Sequence, residues 1–202
     1  MVGDSSAPYS DTGLWRRLAD EVDRLDPDAG RMLHGALAGY TAPLRIQVAG
    51  RAGVGRGNVQ RALSVLPGAW ESAAWESGAW ESALVDVPGV PDPVLDADIV
   101  VYVLPTRLGP TSMHPADRRT LDTLDPRRVV VVVAGDTPVS GLTAPVFVQD
   151  DPYLGATIAG RVDGAHLLRL EDFVCTVAGI AASPQARDVI EAALEDAGVS
   201  IG

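Results

Sequence analysis

A chain of 202 residues is long enough for one full-sized core, or for one domain with a helical appendage. Its net charge of −11 argues against sequence-independent nucleic-acid binding and against simple electrostatic attachment to anionic membranes. No run approaches the roughly 18 consecutive apolar residues that a membrane span needs, and residues 1–10 lack the basic start and apolar stretch of a secretory signal.

Cys175 is the sole cysteine, so no intramolecular disulfide can form, and a reducing cytoplasm is the expected compartment. It falls among Phe173, Val174, Val177 and Ile180 and is expected to be a small buried hydrophobe. Every cationic residue is an arginine, so each cation is a planar, forked guanidinium instead of a compact ammonium.

Residues 1–10 are polar and small and are expected to be disordered. Residues 11–41 form a helical segment. Asp11 or Thr12 can cap its start, and Leu14, Trp15, Leu18, Val22 and Leu25 recur at helical spacing. Pro27 allows a second helix start after Asp26, with Met32, Leu33, Ala36 and Leu37 as its apolar face. Residues 42–202 follow as one domain. Leu44 to Ala49 is a short strand that runs directly into Gly50-Arg51-Ala52-Gly53-Val54-Gly55-Arg56-Gly57, and Asn58 to Leu66 is the next helix.

Strand, glycine-rich loop and helix are the context of a phosphate-binding loop. Such a loop reads Gly, four residues, Gly, Lys, then Ser or Thr. The backbone cradles phosphates, the lysine reaches the β- and γ-phosphates, and the hydroxyl holds Mg²⁺. Gly50 and Gly55 stand at the two glycine positions, but Arg56 replaces the lysine and Gly57 the hydroxyl residue. The candidate phosphate-binding residues are therefore Gly50, Gly53, Val54, Gly55, Arg56 and Gly57.

Three copies of Ala-Trp-Glu-Ser follow, placing Trp70, Trp75 and Trp80 five residues apart. A two-residue turn at Ser77-Gly78 makes them an antiparallel hairpin in which Trp75 faces Trp80. The alternative is a recent duplication in an exposed loop. Leu84 to Val87 ends at Pro88-Gly89, residues 90–97 form a loop, and Asp98 to Leu104 is a strand buried on both faces. Pro115 to Leu124 is a helix, Arg128 to Ala134 and Ala144 to Val148 are strands, and helices occupy Leu167 to Ala181 and Ser183 to Ala197. Alternating strands and helices predict an α/β fold of three layers with a mostly parallel sheet and one antiparallel hairpin.

The order of these landmarks resembles the P-loop GTPase domain of the Ras-like class, closest to the dynamin-like and Era-like branch found in actinobacteria. Ala42 to Arg51 is similar to that family's lead-in, and Asp86-Val87-Pro88-Gly89 matches its Asp-x-x-Gly motif. In the family that aspartate supports Mg²⁺, so the resemblance makes Asp86 the candidate metal residue. The departures fall on functional positions. Ala134-Gly135-Asp136-Thr137 stands where Asn-Lys-x-Asp would read guanine, and Gln149-Asp150 replaces the Ser-Ala signature.

With those losses the resemblance implies a pseudoGTPase. It would be a regulatory or binding domain with no catalytic residue and no cofactor, partnered by an intact dynamin-like or other GTPase. Trp70, Trp75 and Trp80 are its candidate contact residues, since exposed aromatics anchor interfaces. The alternative is a weak nucleotide binder or slow hydrolase that uses GTP or GDP with Mg²⁺ through Arg56 and Asp86. An anion or small-metabolite binder that uses the loop without Mg²⁺ is a third reading. His34, His114 and His166 are scattered and show no metal-ligand spacing.

Overall fold

The structure is a computed structural model, and it describes residues 12–64, 79–105, 113–134 and 141–197. In chain order its elements are α1 (Thr12–Leu25), α2 (Pro27–Thr41), β1 (Arg45–Gly50), α3 (Arg56–Ser64), β2 (Ala79–Leu84) and β3 (Ile99–Pro105). They continue with α4 (Pro115–Thr123), β4 (Val129–Ala134), β5 (Val146–Val148), α5 (Leu154–Ala178) and α6 (Pro184–Asp196). Residues 1–10, Trp70, Trp75 and the Ser77-Gly78 turn lie outside the described residues, as does the segment 135–137. The chain divides into two compact units, residues 1–42 with 166–202 and residues 43–165.

The first unit is helical. Trp15, Leu18 and Val22 of α1 pack with Leu33 and Leu37 of α2, Phe173 and Val177 of α5, and Ile190 and Leu194 of α6. The Phe173 ring is met edge-on by Trp15 at 5.0 Å and stacked by Tyr40 at 5.1 Å, geometries that aromatic quadrupoles favour. Asp26 ties three helices together. Its backbone N–H donates to Val22 O at the end of α1. Its carboxylate caps α2 by accepting from Asp28 N and Ala29 N, and it also accepts from Ser183 N at the head of α6. These bonds, that from Ala29 first, hold the Asp26 carboxyl below the usual aspartate range.

At Gly30 the two N-terminal helices touch. A Cβ there would lie 2.3 Å from Asp23 Cα, so only glycine permits the approach. Cys175 is exposed, contrary to the expectation of burial. Phe173 and Val177, four residues apart, define the buried stripe of α5, and a residue midway between them turns to the opposite side.

The second unit is a sheet between helices. Among the described residues its five strands run in the order β2-β1-β3-β4-β5, all parallel. The antiparallel hairpin expected around the repeat is not seen among the described residues, because its first strand and its turn lie outside them. β2, made from the third repeat copy, pairs with β1 in parallel register, Ile46 opposite Trp80. A strand that returns from β1 through α3 arrives parallel to it, as a crossover connection requires.

One sheet face presents Ile46, Val48, Val101 and Val132 to Val59 and Leu63 of α3 and Ile158 and Val162 of α5. The other presents Val100, Tyr102, Leu104 and Val131 to Leu121 and Leu124, in and just after α4. Both faces are covered, which is why β3 and β4 are continuous apolar runs. At the N-terminal end of the sheet, Arg45 donates to Glu81 at 2.9 and 3.0 Å and pairs with Asp96. The bond to Glu81, ahead of the opposing effect of burial, raises the Arg45 pKa, and Glu81 is lowered in turn. No described helix is long and apolar enough to cross a membrane.

Two predictions follow from the helical unit. Gly30→Ala destabilises by about 1–3 kcal/mol through overpacking, whereas Gly35→Ala, at a position with nothing within 4 Å, stabilises by about 1 kcal/mol from helix propensity. Urea denaturation of the two variants reads this contrast. Asp26 has a lowered folded pKa, so its contribution is fully present above the ordinary aspartate value of 3.8 and is lost as pH falls through the folded value. Asp26→Ala accordingly lowers Tm at neutral pH, and the gap to wild type closes on acidification.

Candidate functional site

Strand order 2-1-3-4-5 reverses direction between β1 and β3, and in such sheets ligands bind beyond the C-terminal strand ends at that point. The glycine loop leaves β1 there. Gly50 has φ +150° and passes so close to β3 that a Cβ would lie 2.7 Å from Val103 O. Gly53 and Gly55 also have positive φ, at 76° and 90°, where side chains are strained. Gly55 lies against Ala134 at the end of β4, and its carbonyl accepts from Asn58 N and Val59 N to start α3. Gly50, Gly53 and Gly55 are therefore brought together in a loop whose shape demands them, whereas Gly57 has open space around it.

The two arginines of the loop point away from one another's tasks. Arg51 donates through Nε to both oxygens of Asp117, at 3.1 and 3.0 Å. The Asp117 side chain has no exposed surface, and its Oδ1 also accepts from Tyr102 Oη at 2.9 Å. Burial, then the neighbouring Asp117 charge, raises the Tyr102 pKa, so the phenol stays protonated as the donor. Asp117 sits in the first turn of α4, where the helix dipole also favours a carboxylate. Arg56, at the lysine position, donates through Nη1 to Ser82 Oγ of β2 at 2.9 Å.

Gly53, Gly55 and Asn58 form one wall of a cavity of about 370 Å³, with Pro105, Ala134 and Gln149 from the ends of β3, β4 and β5 opposite. None of the described lining residues is charged.

Asp86 follows β2 with φ 57°, a conformation that aspartate tolerates. Its backbone N–H donates to Asp92 Oδ1 at 2.6 Å, and its carboxylate faces His114 Nδ1 at 4.0 Å. His114 caps α4 by accepting from Ala116 N. Among the described residues no three carboxylate, imidazole or thiol groups gather as a metal site. Position 57 carries no hydroxyl, although a Cβ there would meet nothing within 4 Å. The loop thus offers no side-chain oxygen at the position where a hydroxyl would hold Mg²⁺. Trp80 is half-buried against the core face of the sheet, while Trp70 and Trp75 lie outside the described residues.

Comparison with known protein families, curated proteins and solved structures finds no match to this chain.

Sequence reasoning missed Arg51, Asp117, Tyr102 and Ser82. One signal for the buried pair was present: a tyrosine inside the valine run of β3 must find a polar partner when buried. Asp117→Ala leaves the Arg51 guanidinium without its counter-charge and costs about 3 kcal/mol, while Tyr102→Phe costs about 1 kcal/mol. Chemical denaturation of both variants checks the order and the size of these effects.

Proposed function

We propose that the sheet unit is a degenerate phosphate-loop GTPase-like domain, a pseudoGTPase that acts as a regulatory or binding partner. One observation carries this reading. The cation at the lysine position is bonded to a neighbouring strand, outside the cavity beneath the loop. Phosphoryl transfer depends on positioned charge at the transferred group. Without a ligand, a loop whose Arg51 is neutralised by Asp117 and whose Arg56 is held by Ser82 offers none there. The strand order, the loop at the reversal point and Asp86 after β2 support the GTPase-like ancestry.

The partner in this reading is an intact GTPase of the dynamin-like kind in the cytoplasm, engaged through surface and not through catalysis. The hairpin belongs to the same proposal. β2 has a strand neighbour on one side only among the described residues. The two repeat copies that precede it share its sequence and could supply an antiparallel strand on the free side.

The cavity, with its Asn58 and Gln149 amides, favours the second reading, a nucleotide binder without turnover. Isothermal titration with GTP, GDP and ATP, with and without Mg²⁺, separates them. The pseudoGTPase reading expects dissociation constants of about 1 mM or weaker with no dependence on Mg²⁺. Micromolar, Mg²⁺-dependent GTP binding contradicts it.

A further inference from the structure

We propose that the Arg56–Ser82 hydrogen bond is an autoinhibitory contact. It holds the guanidinium out of the cavity at the C-terminal strand ends, and an anion of the phosphate class entering that cavity draws it in. The proposal rests on the loop reading above, but it requires neither Mg²⁺ nor turnover.

Arg56 stands in the chain close to Gly55 and Asn58, which both line the cavity, yet it is not itself a lining residue. Its guanidinium reaches sideways to Ser82 Oγ instead. The two loop arginines differ in kind. Arg51 has a buried carboxylate as counter-charge, whereas Arg56 meets, among the described residues, only a neutral hydroxyl. Burial pushes the Arg56 pKa down, the mark of a cation partly removed from water without an opposite charge.

A hydroxyl offsets little of that penalty. An anion offsets more, because it brings a full opposite charge to the guanidinium where a hydroxyl brings only a dipole. An anion in the uncharged cavity would have this guanidinium as its nearest available loop cation, since Arg51 is committed to Asp117. The side chain thus has two exclusive partners, Ser82 without ligand and the anion with it. The Ser82 side chain is exposed, so its replacement disturbs no core packing.

Calorimetric titration with pyrophosphate in the absence of Mg²⁺ tests the contact. Ser82→Ala binds roughly ten- to a hundredfold more tightly than wild type, the factor that one hydrogen bond to a charged group represents. Ser82→Thr keeps the hydroxyl and stays at wild-type affinity. Arg56→Gln abolishes binding in both the wild-type and the Ser82→Ala background. Equal affinity in wild type and Ser82→Ala, binding that survives Arg56→Gln, or no measurable binding by Ser82→Ala overturns the proposal. Micromolar Mg²⁺–GTP binding by wild type would overturn the pseudoGTPase reading without bearing on these comparisons, so the two fail separately.

Discussion

A guanidinium on the glycine loop meets a carboxylate that has no contact with water, and much of the site follows from that one ion pair. Asp117 cannot be left without a counter-charge in the interior, where breaking one partner of such a pair costs several kcal/mol. Arg51 supplies the charge and Tyr102 supplies a further donor, so the carboxylate bridges the loop, α4 and β3. The loop is thereby fastened to the sheet by its own side chain. A phosphate loop that depended on its ligand would need no such bond.

The fastening bears on function through charge. Of the two arginines in the loop, one is spent on Asp117 and the other is bonded to Ser82. The backbone keeps the positive-φ glycines and the tight passage beneath Val103 O, which are requirements of the fold. What is missing is chemistry that packing does not forbid. Open space at Gly57 would accept a serine or threonine, so the absence of a hydroxyl there is not forced by the structure.

Much of the fold was legible because it rests on local rules. The helical spacing of Leu14 to Leu25, the proline restart at Pro27 and the valine run of β4 each point to one element, and the structure has them within a residue or two. The glycine loop was legible for the same reason, since strand, glycines and helix are contiguous in sequence. The pairing of Arg51 with Asp117 was not, because the two residues are 66 positions apart and meet only through sheet order. The strand partner of the third Trp copy was likewise hidden: a pentad repeat matches neither helical nor strand periodicity, and only the crossover through α3 makes β2 parallel to β1. Cys175 was misplaced because Phe173, Val174 and Val177 around it are apolar, and the buried stripe was taken one position too wide.

Amide hydrogen exchange across residues 51–57 bears most directly on whether the loop is held by its own ion pair. If Arg51 and Asp117 fix it, the loop amides are protected in the free protein to the same degree as with Mg²⁺–GTP added, and Asp117→Ala removes that protection. Loop amides that exchange freely in wild type and become protected only when Mg²⁺–GTP is present would contradict it.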